Sequence, residues 1–122
     1  MVEQSGSPID PTAFEVGKYQ AGQATVLTVS GEVDMLTAPQ LAEAIHNALA
    51  GRPEALVVDM SKVEFLASAG MTVLVTAQAD VVPPTRFAVV AEGPATSRPI
   101  KLMGIDTVLP LYSTLDSALS GS

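Results

Sequence analysis

The run Ala55–Met60, ALVVDM, constrains the fold more than any other feature of this chain. It has strand length and is apolar at nearly every position, so neither face of such a strand can meet water. A strand covered on both sides belongs to a sheet with helices on it, and its usual setting is the parallel sheet of an α/β protein. Arg86–Ala91, RFAVVA, is a second run of the same kind after the turn at Val82-Pro83-Pro84. Between them, Ser68 to Val82 has Val and Thr content that favours strand, but its length and opening Ser favour helix. We assign it as helix.

The rest of the chain fits around that centre. Phe14–Gln20 and Ala24–Ser30 read as short strands joined through Ala21-Gly22-Gln23, which predicts a hairpin. Thr37 reads as an N-cap, Pro39 suits a first turn, and Leu41, Ile45 and Leu49 recur at four-residue spacing. These predict an amphipathic helix from Thr37 to Ala50, closed at Gly51. Pro94 to Gly104 suits a short helix that begins late, because Pro99 needs a first-turn position. Val108–Tyr112 suits an edge strand because Pro110 cannot donate to a ladder, and Leu115–Leu119 a last helical turn. Strands alternating with helices predict an α/β fold with a mixed sheet.

With 122 residues the chain is expected to form one domain, residues 13–120, after a flexible lead at residues 1–12 that contains Pro8 and Pro11. That lead has no basic region followed by an apolar one, so a secretory signal is not expected, and a cytoplasmic location is. The apolar stretch from Phe65 to Val82 is broken by Ser68, Thr72, Thr76, Gln78 and Asp80, which argues against a membrane span. Thirteen acidic residues against six basic ones give a net charge of −7, a poor match for nucleic acid, whose phosphates require clustered Lys and Arg. There is no cysteine and one histidine, which excludes thiolate chemistry and His-rich metal centres, and no cofactor is expected.

Catalytic patterns are missing as well. No GxGxxG, GxxxxGK or GxSxG occurs. His46 follows Ile45 off the apolar stripe, the place of a solvated side chain. Asp59 and Glu64 could in principle work as acid and base, and with Ser68 they leave open a small hydrolase, but their spacing fixes no separation. The expectation is therefore a binding protein with no catalytic and no metal-binding residue.

The informative stretch is residues 58–75, VDMSKVEFLASAGMTVLV. It reads as a strand ending near Asp59, a short loop, an anchor into the core at Phe65-Leu66, and Ser68 as the N-cap of the following helix. A capping Ser accepts from the amide of Gly70 or Met71, and capping alone would account for it. The alternative is a phosphorylation switch. A helix N-terminus tolerates a phosphate, and the small neighbours Ala67, Ala69 and Gly70 allow a partner close approach. On a helical wheel Ala69, Thr72, Thr76 and Asp80 form a side open to a partner, while Met71, Leu74, Val75 and Val82 face the core.

In order along the chain stand Gly31-Glu32-Val33-Asp34, Val57-Val58-Asp59-Met60-Ser61 with Val63-Glu64-Phe65-Leu66, Ser68-Ala69-Gly70-Met71, and the tail Met103-Gly104-Ile105 with Leu109-Pro110-Leu111-Tyr112. In these the chain resembles the bacterial anti-sigma factor antagonists, stand-alone STAS domains, over nearly its whole length after residue 13. The resemblance implies a single STAS-like α/β domain, a mixed sheet of four to five strands with helices mainly on one face. It implies a protein that binds an anti-sigma factor of the GHKL serine-kinase type, frees a sigma factor, is released by phosphorylation at Ser68, and is reset by a PP2C-type phosphatase. Ala69, Gly70, Met71 and Thr72 are then the expected partner contacts, with Glu32 and Asp34 beside them. Where the family usually has Asp before the acceptor, this chain has Ala67. A STAS scaffold or small-ligand module that is never switched is the alternative.

Overall fold

The apolar run at Ala55–Met60 lies in the middle strand of a five-stranded sheet in the computed structural model, which describes residues 13–121. The expected lead at residues 1–12 lies outside the described residues. The elements are β1 (Glu15–Ala21), β2 (Ala24–Val33), α1 (Ala38–Ala50), β3 (Ala55–Leu66), α2 (Ser68–Asp80), β4 (Arg86–Val90), α3 (Ser97–Leu102), a 3₁₀ turn (Ile105–Thr107), β5 (Leu111–Tyr112) and α4 (Leu115–Ser120). β1 and β2 form the antiparallel hairpin, and β2 to β5 are parallel.

The strand order is sequential, β1-β2-β3-β4-β5. Parallel crossovers are right-handed, so a chain that always steps the same way across its sheet brings every crossover helix out on one face. That face carries Leu27, Val29, Leu56, Val58, Phe87 and Val89, buried against Leu41 and Ile45 of α1, Met71 and Leu74 of α2 and Ile100 of α3. Among the described elements only α4, which follows the last strand, covers the other face, where Ala118 closes over Val26, Val57, Ala88 and Val90. The Arg86 guanidinium on β4 donates to the Leu119 carbonyl at 3.0 Å and ties α4 to the sheet.

Several expectations need correction. β3 does not stop near Asp59 but runs twelve residues to Leu66, against ten in β2, with register shifts between Thr28 and Ser30 and between Gly31 and Glu32. Each shift places one extra residue in β3, a β-bulge. The strand therefore buries Val63 and Leu66 but leaves Ser61, Lys62, Glu64 and Phe65 outside. Phe65 is 51% exposed and does not anchor the core. Glu32, beyond the strand end expected at Ser30, lies inside β2, paired with Phe65. α1 does end at Gly51, but Gly51 has φ −78°, and the left-handed residue is Arg52 at φ 52°. α2 ends at Asp80, so Val82 falls outside it and is 73% exposed.

Candidate functional site

The C-terminal ends of β2 and β3 lie side by side and deliver two turns to one rim of the sheet. Val33 pairs with Leu66, and the Ala67 amide donates to the Val33 carbonyl at 2.8 Å. From this junction β2 leads into residues 34–37, and β3 leads into α2.

α2 starts at the junction because Gly70 permits it. A β-carbon on Gly70 would lie 2.6 Å from Val33 Cγ1 and 2.7 Å from Leu66 Cδ1, distances no side chain accepts. The helix then buries Gly70, Met71, Leu74 and Ala77, a helical spacing that overrides its β-branched content. Its N-cap is Ala67, with the extended backbone of a cap (φ −85°, ψ 169°) but no side chain to cap with. Ser68 is thus the first helical residue and not the cap. The Gly70 and Met71 amides go to the Ala67 carbonyl at 3.0 and 3.2 Å, where the expectation gave them the Ser68 hydroxyl. Ser68 is exposed, and its hydroxyl has no hydrogen-bond partner among the described residues. Its carbonyl accepts the Thr72 hydroxyl at 3.0 Å.

Of the other expected contacts, Thr72 and Glu32 are exposed, Ala69 is half-buried, and Gly70 and Met71 point inward. Asp34 is half-buried, and its carboxylate is engaged. Its Oδ1 accepts from the Leu36 amide at 2.9 Å, the Thr37 amide at 3.1 Å and the Thr37 hydroxyl at 3.2 Å. The bond from the Thr37 amide is the main force holding the Asp34 carboxyl below its ordinary value of 3.8. Thr37 occupies the N-cap position of α1, but its hydroxyl accepts the Asp34 amide and shares its one proton between the Glu32 carbonyl and Asp34 Oδ1, in place of capping.

That closed turn holds up two apolar side chains, Met35 at 79% and Leu36 at 84% exposure. Sequence reasoning missed them, although a Met-Leu pair between Asp34 and Thr37 in a turn has nothing to pack on. It also missed an apolar groove of about 490 Å³ between the end of β3 and α3, lined by Phe65, Leu66, Pro94, Pro99 and Leu102 together with the charged Glu64 and Arg98. The rim thus carries a free hydroxyl set among exposed apolar groups, which suits contact with a protein.

Little here suits catalysis. Asp59 and Glu64 line different depressions, and His46 sits exposed on the α1 side of a groove between α1 and α2. Among the described residues no group of three or more His, Asp or Glu is placed to hold a metal ion, and no helix is long and apolar enough to cross a membrane.

Comparison with known proteins agrees with the fold. A family model described as Mlab, STAS domain, matches residues 16–111. The chain is 47% identical over 111 residues to the anti-sigma-F factor antagonist RsfB of Mycobacterium tuberculosis, covering 91% of each. It superposes on the crystal structure of an anti-sigma factor antagonist from Mycobacterium paratuberculosis with a TM-score of 0.87 at 46% identity, over 92% of this chain and 96% of the other. The anti-sigma factor antagonist SpoIIAA in its unphosphorylated form shares the fold at 15% identity, with a TM-score of 0.69 over 88% and 94% of the two chains.

Proposed function

The chain belongs to the STAS domain family, among its anti-sigma factor antagonists, and from that premise we propose that it binds an anti-sigma factor through the rim around Ser68 and lets go when Ser68 is phosphorylated. One observation carries the reading. Ser68 stands at the first position of α2, exposed, with its hydroxyl committed to no bond among the described residues. A phosphate there adds a charge of about −1.5 to −2, which must be desolvated in any complex that covers the rim. The exposed carboxylates Glu32 and Glu64 flank the same junction and oppose that charge. Each 1.4 kcal/mol lost weakens a complex tenfold, so a penalty of roughly 3 kcal/mol empties it.

On this reading the protein is a regulator and no enzyme, and acts in the cytoplasm. Its anti-sigma partner is an ATP-binding serine kinase of the GHKL class, which transfers phosphate to Ser68, and a PP2C-type phosphatase removes it. Ala69 and Thr72 on α2, and Glu32 and Asp34 at the end of β2, border the contact, while Gly70 and Met71 support it from inside.

The experiment is a pull-down from native cytosol with wild-type, Ser68→Ala and Ser68→Glu baits, read by mass spectrometry. A GHKL-type kinase on the first two baits and not on the third is the expected result. The same kinase on all three removes the switch but keeps the partner.

A second reading, an unswitched STAS scaffold or small-ligand module, draws on the groove of about 690 Å³ between α1 and α2, floored by Ile45, Leu49 and Ala77. No kinase on any bait, together with a ligand-dependent rise in melting temperature against nucleotides or lipids, would favour it.

A further inference from the structure

We infer that the groove between β3 and α3 anchors the anti-sigma partner, taking from it an apolar side chain flanked by a carboxylate. The inference rests on the reading of this chain as an antagonist and adds a second contact, away from the hydroxyl of Ser68.

Three observations carry it. The first is exposed apolar area with no use inside the fold. Phe65 is 51%, Leu102 73% and Met103 63% exposed, and Phe65 and Leu102 line the groove with Pro94 and Pro99. Large side chains clustered in this way mark contact surfaces, where single scattered ones do not. The second is continuity. Phe65 precedes Ser68 by three residues on the same strand-to-helix passage, so a partner covering Ser68 has the groove within its footprint. An interface of ordinary size buries roughly 800 Å² on each side, far more than the neighbourhood of one serine.

The third is charge. The chain carries −7 overall and has six basic residues, yet the six-residue α3 bears two of them, Arg98 and Lys101, both exposed. Neither has an ion-pair partner among the described residues. Arg98 lines the groove from α3 and Glu64 lines it from β3, so its positive side is the α3 side. An apolar slot with an unpaired guanidinium on its α3 side selects an apolar side chain whose neighbouring acid turns toward α3 and away from Glu64, and Arg presents the planar fork that a carboxylate matches.

Purified Mycobacterium tuberculosis anti-sigma-F factor serves as the probe, with RsfB as positive control, by calorimetric titration. Leu102→Glu and Arg98→Glu are expected to weaken binding at least tenfold, with Arg98→Glu also flattening the dependence on salt. Val82→Glu, equally exposed but at the far end of α2, is expected to bind as wild type does. Circular dichroism melts of all three check that the fold is kept. Unchanged affinity in both groove variants, with wild type bound, overturns the anchor and leaves the antagonist reading standing. Failure of wild type to bind while RsfB binds strikes the antagonist reading for this partner, and the anchor with it.

Discussion

Gly70 approaches Val33 so closely that its missing β-carbon would fall 2.6 Å from Val33 Cγ1. The contact sets how near α2 begins to the ends of β2 and β3, and so where Ser68 is presented. In a helix interior Ala ordinarily gains about 0.5–1 kcal/mol over Gly. Here the clash with a buried Val reverses the sign, since overpacking a filled core costs about 1–3 kcal/mol. Gly70→Ala is expected to lose about 1–2 kcal/mol in a denaturant melt. Adding Val33→Ala to it should cost less than the sum of the two single changes, because the two sites share one contact.

The cap position of α2 predicts the opposite sign. Ala67 has cap geometry without a cap side chain. Ala67→Asp supplies an acceptor for the first-turn amides and a charge that favours the helix N-terminus, which raises stability by about 0.5–2 kcal/mol. Thermal melts check this.

Ser68 is expected to be silent in the same assay. An exposed side chain that bonds to nothing among the described residues leaves stability within about 0.5 kcal/mol when replaced. Ser68→Ala and Ser68→Glu should therefore melt with wild type, and any difference in partner binding is then a property of the contact.

Acid should act through Asp34. Its carboxyl is held below 3.8 in the folded protein, first by the Thr37 amide, so the folded state releases that proton more readily than the unfolded one. The resulting stabilisation is present in full above 3.8 and disappears as pH falls through the lowered folded value. Asp34→Ala is expected to be less stable than wild type at neutral pH. The gap should narrow as the pH drops below 3.8, followed by denaturant melts across pH 2.5–7.

Which parts of this were legible in the sequence follows from how each element is buried. α1 announces itself because Leu41 and Ile45 fall on one stripe over the sheet, with Ala48 and the half-buried Leu49 completing it. The edge position of β5 follows from Pro110, which supplies a carbonyl to the Val89 amide and no donor of its own. β3 beyond Met60 was not legible, because two bulges turn the alternation of a strand into a spacing of three, with Val63 and Leu66 inside and two polar or exposed residues between. A stretch with that spacing looks like a loop. Phe65 misleads for a related reason: hydrophobicity alone assigns it to the core, whereas the bulge at Gly31–Glu32 turns it outward. Ser68 stood out as a candidate, but its placement one residue inside the helix depends on backbone geometry at Ala67 that composition does not encode.

The parallel run of β2 to β5 has one more consequence. It gathers their strand-to-helix turns at one rim, where Ser68 is exposed and bonds to nothing among the described residues. A charge written on that side chain removes no core contact, so marked molecules open about as readily as unmarked ones and share their susceptibility to proteolysis. The ratio of the two forms in a cell then reports only the rates of writing and erasing, undistorted by differences in how long each form survives.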